Sequence, residues 1–453
     1  MRLLHSVMAA SAVCAVVMGI CGFAGQATRT ADVPVIVTAS SAYDATAALR
    51  GEERFSRGAQ LLIVKNGKAE PLVEGFAASA DADVSFDAKK VLFAGKKSTN
   101  DPWAIWELTL ADQSVRKVIG GGADAIRPLY LPDDRLVYAE RTAQGFQLAT
   151  AQLNGADALQ LTHINANAIP SDVLADGRIL FESTYPLGDG KTPELYLVYS
   201  DGSGVESYRC DHGSARWGGR QVASGDVVFT HGAGLARFTS PLAAETDLAV
   251  PKAEYQGNVV ELASGQWLVS ARSGGEMHAS LKLWKPGAQQ LQPFAAQQGE
   301  DLIEPVLLRE RARPHRHPSA LHDWPYGNLL ALDARESREG DLKVSPATVR
   351  VETLDANGSA VALGTAPVEP DGSFFVKTPG DQPIRFALLD EKGTVLRQEH
   401  GWFWVRKGEQ RICVGCHTGP ERAAENRVPA VLLRSTTPVD VTGPMQGTIA
   451  GSR

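Results

Sequence analysis

The stretch Leu302–Glu310, LIEPVLLRE, reads as a β-strand with no partner in its own neighbourhood, because no polar turn and second strand follow it. Its partner lies at the other end of a repeat. Six upstream segments share one pattern, a turn rich in Asp, Gly or Ser followed by three or four β-prone apolar residues: DVPVIVTAS from Asp32, DAKKVLFAG from Asp87, PDDRLVYAE from Pro132, ADGRILFES from Ala175, SGDVVFTHG from Ser224 and SGQWLVSAR from Ser264. Taking Val35, Val91, Leu136, Ile179, Val227 and Trp267 as equivalent gives spacings of 56, 45, 43, 48 and 40 residues, close to the length of a four-stranded propeller blade. Later copies carry a strand before the turn, such as AIRPLYL from Ala125 or AIPSDVL from Ala168, and the first copy lacks it. LIEPVLLRE supplies the missing piece, so the end of the repeat region closes the ring and hides the sheet edges that an open array would expose. The competing arrangement is an open sandwich of strands with accidental periodicity.

Second strand pairs such as WAIWELTLADQSVRKVI and PELYLVYSDGSGVESYR, each with a central turn, read as the outer hairpins of blades. From Arg311 the pattern stops. RARPHRHPS is basic and Pro-rich and reads as a linker over 311–325. Beyond it GNLLALD, TVRVETLD, SFFVKTP, IRFALLD and TVLRQEHGWFWVRK are strands between Gly, Asp, Asn and Pro turns, which predicts a small β-sandwich over 326–440 and a tail over 441–453. The expected fold is all-β: a six-bladed β-propeller over 25–310, then the sandwich, which ends in a c-type haem-binding segment.

The chain has 453 residues, enough for two or three domains. A net charge of −7 without a long Lys/Arg run leaves no electrostatic footprint for nucleic acid. Residues 1–24, with Arg2 followed by an apolar run and small residues at Gly22 and Ala24, read as a secretory signal peptide. No later segment is apolar for long enough to span a membrane, so the expectation is an exported, periplasmic protein with no membrane span after cleavage.

Chemistry concentrates in RICVGCHTGPER, Arg411–Arg422, which holds the only Cys-x-x-Cys of the chain. A thioredoxin-like dithiol needs a βαβ context, and a structural zinc site needs two further ligands nearby. One covalent haem c accounts for all three residues at once, with Cys413 and Cys416 as thioether anchors and His417 as the proximal iron ligand. For the distal side of the iron the candidates are Met445 in TGPMQGT, His400, and His315, His317 and His322 around the linker, or an open position. Trp402, Phe403 and Trp404 are candidate walls for a porphyrin or core of the sandwich. Arg406, Lys407, Arg411, Arg422 and Arg427 are candidate partners of propionates or solvated cations. With the signal gone, Cys210 has no disulfide partner; Cys210 and His212, two apart on a strand, suit zinc, against the alternative of an inert thiol.

The elements Ala366–Glu369, Asp371–Phe374, Pro383-Ile384, Leu389-Asp390 and Gly408-Glu409 ahead of Cys413–His417 resemble the middle domain of the hydrazine synthase alpha subunit family. The resemblance implies a six-bladed propeller before a haem-bearing domain, and a zinc ion near the haem held by Asp, Cys and His of the propeller. It also marks a departure: the family's catalytic haem has a tyrosine four residues after the proximal His, where this chain has Glu421. Hydrazine synthesis itself is therefore not expected. The expected function is electron transfer or haem-based redox chemistry, with a redox partner protein or small molecule as partner. The alternative is a binding or sensor protein working through its propeller.

Overall fold

The computed structural model describes residues 33–184, 192–209, 213–337, 340, 342–415 and 425–443. Apart from one 3-10 turn, Ala47–Arg50, and one short helix, Ala430–Arg434, its regular elements are strands. Six sheets of four or five strands succeed one another, each antiparallel and each ordered from an inner strand outward. The inner strands are Asp301–Leu307 in blade 1, Ala78–Val84 in blade 2, Ala125–Tyr130 in blade 3, Ala168–Val173 in blade 4 and Arg216–Gln221 in blade 5. In blade 6 the inner position is split into Glu254–Tyr255 and Val260–Glu261, both paired with Trp267–Arg272. The fold is a six-bladed β-propeller followed by a sandwich.

Ring closure is a main-chain ladder. Leu307 pairs with Val35, Val306 with Ile36, Ile303 with Thr38 and Leu302 with Ala39, across a bulge between Ile36 and Thr38. All six residues of Val35–Ser40 are buried, as are Leu302 and Ile303. Burying an aliphatic side chain of this size contributes roughly 1.5–3 kcal/mol, so the closing pair is stabilised by its apolar faces as well as its hydrogen bonds. The six residues aligned by the repeat all fall in the second strand from the axis, Val35–Ser40, Lys90–Lys96, Arg135–Thr142, Ile179–Ser183, Val227–His231 and Trp267–Arg272.

The long first spacing has a structural cause. Between the second and third strands of blade 1, residues 41–59 leave the sheet and cross one face of the ring. Asn167 of the blade 3–4 connection donates to the Leu49 carbonyl at 3.0 Å, Arg141 of blade 3 to the Gly51 carbonyl at 3.2 Å, and the Trp103 indole of blade 2 to Glu53 at 3.1 Å.

The segment read as a linker holds no strand or helix, yet it is tied down residue by residue. Arg311 binds Asp83 at 2.8 Å, Arg313 the Pro132 carbonyl at 3.0 Å, the His315 amide the Ala175 carbonyl at 2.9 Å and Ser319 the Asp201 carboxylate at 2.7 Å. Asp83, Pro132 and Ala175 sit where inner strands end in blades 2, 3 and 4, and Asp201 in the outer turn of blade 4, on the face opposite the 41–59 crossing. The contact is close enough to demand glycine: Gly177 has φ of 88°, and a Cβ there would stand 2.1 Å from the His315 carbonyl oxygen.

Two four-stranded sheets form the sandwich. One runs Gln410–Cys413, Tyr326–Ala331, Phe374–Pro379, Val439–Asp440; the other runs Ala360–Pro367, Thr348–Leu354, Ile384–Leu389, Val395–Gln398. Leu329, Val349, Val351, Phe374, Val376, Ile384, Phe386 and Leu388 fill the space between them. The strand that carries Cys413 is an edge strand, and it pairs in parallel with Tyr326–Ala331, placing Cys413 opposite Ala331.

Candidate functional site

Alternation along Gln410–Cys413 sets the chemistry of the site. Arg411 and Cys413 point to one face, while Ile412 points to the other and is exposed. On the inner face Cys413 borders a cavity of about 130 Å³ lined also by Ala331, Phe374, Phe386, Phe403, Glu399, Arg411 and Gly415. Three of these rings form a chain: Phe374 meets Phe386 edge to face at 5.3 Å, and Phe386 meets Phe403 edge to face at 5.3 Å. The Arg411 guanidinium lies 5.8 Å from the Phe403 ring centre.

Burial pushes the Cys413 thiol above its ordinary value; Arg411 opposes the shift, and Glu399 and Glu409 add to it. The sulfur is therefore neutral at physiological pH. A neutral thiol is a poor metal ligand and a poor redox nucleophile, because both roles use the thiolate. A thioether carries no charge and suits the same apolar lining. The residues at Cys413 thus fit the attachment of an apolar group through sulfur. The cavity is below the roughly 300 Å³ at which pockets enclose a drug-sized ligand, so it accommodates an edge of a macrocycle rather than the whole. A larger groove of about 550 Å³, lined by Leu342, Arg385, Val395–His400 and Arg397 among them, shares the Glu399 wall.

The strand is clamped to the propeller immediately upstream of Cys413. Trp404, 2% exposed, leaves the sandwich and packs with Leu129, Leu131, Leu161, Ile164, Val173 and Val205 between blades 3 and 4. Arg406 binds Asp381 at 2.7 Å, His163 Nε2 at 2.9 Å and the Asp201 carbonyl at 3.1 Å. Glu409 accepts from its own turn, the Arg406 amide at 2.7 Å, and from the propeller, the Gly204 amide at 3.1 Å. Arg411 donates to the Val205 carbonyl and, at 3.2 Å, to the Trp404 carbonyl. Burial depresses His163 to about 4; Asp381 opposes this and Arg406 reinforces it, so the ring is neutral and accepts from Arg406. Gly408, at φ of 80°, allows the turn: a Cβ there would stand 1.8 Å from the His322 carbonyl.

Of the sequence-derived candidates, Cys413 is described. Cys416, His417, Met445, Cys210, His212, Arg422 and Glu421 lie outside the described residues. Val205, in the turn between Glu194–Val198 and Glu206–Ser207 of blade 4, touches the Cys413 strand through Arg411. The aromatic trio divides: Phe403 lines the cavity, Trp402 lies under Arg385 at 4.5 Å, and Trp404 anchors in the propeller. Among the candidate propionate partners, Arg406 is committed to the propeller contact and Arg427 to Asp371, Lys407 is exposed beside Asp381, and Arg411 lines the cavity while bonding the Val205 and Trp404 carbonyls. His317 stacks on Tyr199 at 3.8 Å and His322 on Trp324 at 4.2 Å, while His400 lines the larger groove. Glu399, Phe374 and Phe386 escaped the sequence reading. The i, i+2 relation of Arg411 to Cys413 was the available signal for Arg411.

Among the described residues one group has metal-like spacing, His231, Glu245 and Asp247 on blade 5. Its His231 Nδ1 lies 3.2 Å from Glu245 and 3.1 Å from Asp247, and Arg216 already binds Glu245 at 2.5 Å. These contacts are those of an ion-paired surface cluster. No helix among the described residues is long and apolar enough to cross a membrane.

Residues 332–418 match the family model described as the hydrazine synthase alpha subunit middle domain. Hydrazine synthase subunit alpha of Kuenenia stuttgartiensis is 28% identical over 130 residues, 23% of this chain, and the match takes in 16% of that relative's length. In three dimensions the Kuenenia stuttgartiensis hydrazine synthase superposes with a TM-score of 0.76 at 15% identity, covering 89% of this chain and 72% of that one. At that identity the superposition speaks for the fold, propeller and sandwich together. Residues 332–418 are thus similar in sequence to the hydrazine synthase alpha subunit middle domain, and the propeller and sandwich together share the fold of hydrazine synthase.

Proposed function

We propose that the chain is an exported monohaem c-type protein that carries out electron transfer or haem-based redox chemistry in the periplasm. The observation that carries this reading is the Cys413 thiol, neutral and facing an aromatic-walled cavity, at the start of Cys-Val-Gly-Cys-His. Cys413 and Cys416 would hold the haem by thioether bonds, His417 would bind its iron, and Met445 is the proposed distal ligand. When bound, the group supplies one-electron chemistry at iron. The protein's share of the work is positional. Phe374, Phe386 and Phe403 exclude water beside the anchoring sulfur. Arg411 keeps a positive charge at the cavity while bonding the propeller. Zinc at Cys210 and His212 is a further proposal, resting on their side-chain types and their spacing of two.

The sequence position of Glu421 weighs against hydrazine synthesis as the reaction. The test is expression in a periplasm equipped for c-type maturation, followed by intact mass and a pyridine haemochrome spectrum. One covalent haem is expected, lost in Cys413→Ala, Cys416→Ala double-variant protein; recovery of the wild-type chain without covalent haem overturns the reading. A Met445→Ala variant with an unchanged reduced spectrum excludes that ligand.

A further inference from the structure

The propeller axis holds four buried charges that no part of the haem reading uses. Asp81, Arg127 and Glu304 occupy equivalent positions in the inner strands of blades 2, 3 and 1, at bulges, and all three have left-handed backbones with φ of 59°, 55° and 54°. Blade 5 has Gly218 at its bulge and blade 6 has Gly257 between its inner pieces, at φ of 67° and 71°. A side chain at such a φ costs roughly 1–3 kcal/mol and persists where the surroundings enforce it. The three charged residues aim inward all the same.

One guanidinium bridges the two carboxyls and a second binds one of them. Arg54, from the 41–59 crossing, binds Asp81 Oδ2 at 2.5 Å and Glu304 Oε1 at 3.1 Å. Arg127 binds Glu304 Oε1 at 2.8 Å through its side chain and Asp81 Oδ2 at 3.0 Å through its amide. The Tyr43 hydroxyl reaches Glu304 Oε1 at 3.3 Å. Every donor thus converges on one oxygen of each acid. The other oxygens, Asp81 Oδ1 and Glu304 Oε2, are buried with no hydrogen-bond partner, while the shared Arg54 guanidinium holds the two acids side by side.

Two buried carboxylates drawn to one guanidinium repel each other unless one of them holds a proton. We propose that Asp81 and Glu304 share one proton at physiological pH, an acid–carboxylate pair sealed in the propeller axis that fastens the closing strand to blades 2 and 3. Glu304 is the member proposed to hold it. Burial raises this carboxyl, with Asp81 adding to the shift and Arg127 and Arg54 opposing it. For Asp81, burial opposes ionisation but Arg54 and Arg127 prevail and hold it below its ordinary value. The charged and titratable groups facing the pair are Tyr43, Arg54 and Arg127, with Glu182 acting on Arg127 and Arg220 lining the same small cavity.

Sign follows from the two directions. Glu304 raised means its contribution is lost as pH rises through the folded value; Asp81 lowered means its contribution is lost as pH falls through its own. Glu304→Gln places a permanent donor where the proton sits and removes the alkaline loss. Infrared difference spectra of the full-length protein at neutral pH, wild type minus Glu304→Gln, are expected to contain the carbonyl stretch of a protonated carboxylic acid, shifted in deuterium oxide. Absence of that band overturns the pair. Should Glu304→Gln fail to fold, Asp81→Asn gives an independent reading: the protonated-acid band of the wild type should vanish, because Glu304 then ionises between Arg54 and Arg127. Persistence of the band in Asp81→Asn overturns the proposal equally.

Discussion

The chain closes on itself twice, and the two closures are built from different materials. At the ring, Asp301–Leu307 zips onto Val35–Ser40 by a continuous main-chain ladder between buried apolar faces. At the docking surface, residues 404–411 settle on blades 3 and 4 through one buried indole and a set of side chains that seek out backbone carbonyls and amides. A ladder repeats every two residues and tolerates many sequences; a side-chain clamp depends on each member. The ring should therefore fail cooperatively and the clamp locally.

Removing Arg54 attacks the ring at its axis. Arg54→Met leaves Glu304 with the Arg127 guanidinium and Asp81 with a backbone amide alone, and loss of about 3–5 kcal/mol in a single unfolding transition is expected in urea melts. Trp404→Ala attacks the clamp: a loss of about 3 kcal/mol is expected, appearing as a separate early transition and as proteolytic cleavage within 311–325. A single transition in that variant would erase the distinction between the two closures.

The clamp also carries a pH dependence. His163 is held neutral down to about 4, so its contribution is complete above the ordinary histidine range and is lost as pH falls from about 6.5 towards 4. The full window amounts to roughly 3 kcal/mol, read as the midpoint of the docking transition against pH. His163→Gln should flatten that profile. The smallest effect is expected at Arg311→Ala, about 1 kcal/mol, because its ion pair with Asp83 is part-exposed and the rest of the strap keeps its bonds.

What the sequence made legible divides along the same line. The blade count, the second-strand alignment of Val35, Val91, Leu136, Ile179, Val227 and Trp267, and the partner of LIEPVLLRE all follow from apolar periodicity, which a ladder enforces. Arg311–Ser319 looked like a loose linker because its bonds are made by single side chains to distant turns, and these leave no period. Trp404 read as sandwich core or porphyrin wall, since nothing local tells a tryptophan that faces its own sheet from one that crosses to a neighbouring domain. The axis was invisible for the same reason. Asp81, Arg127 and Glu304 are scattered along the chain, and only the ring brings them together. The one trace was the first repeat spacing, 56 residues, whose excess delivers Tyr43 and Arg54 to the axis.

The parallel pairing of Gln410–Cys413 with Tyr326–Ala331 has a consequence for the order of events during biogenesis. That pair joins the first strand of the sandwich to nearly the last, so it forms only after the intervening sheets exist, and such non-local contacts are slow. Until it forms, Cys413 lies on an unpaired segment; afterwards it is half-buried, with one side against the chain of rings Phe374, Phe386 and Phe403. Slowing assembly of the sandwich should therefore lengthen the interval in which the Cys413 sulfur is most accessible.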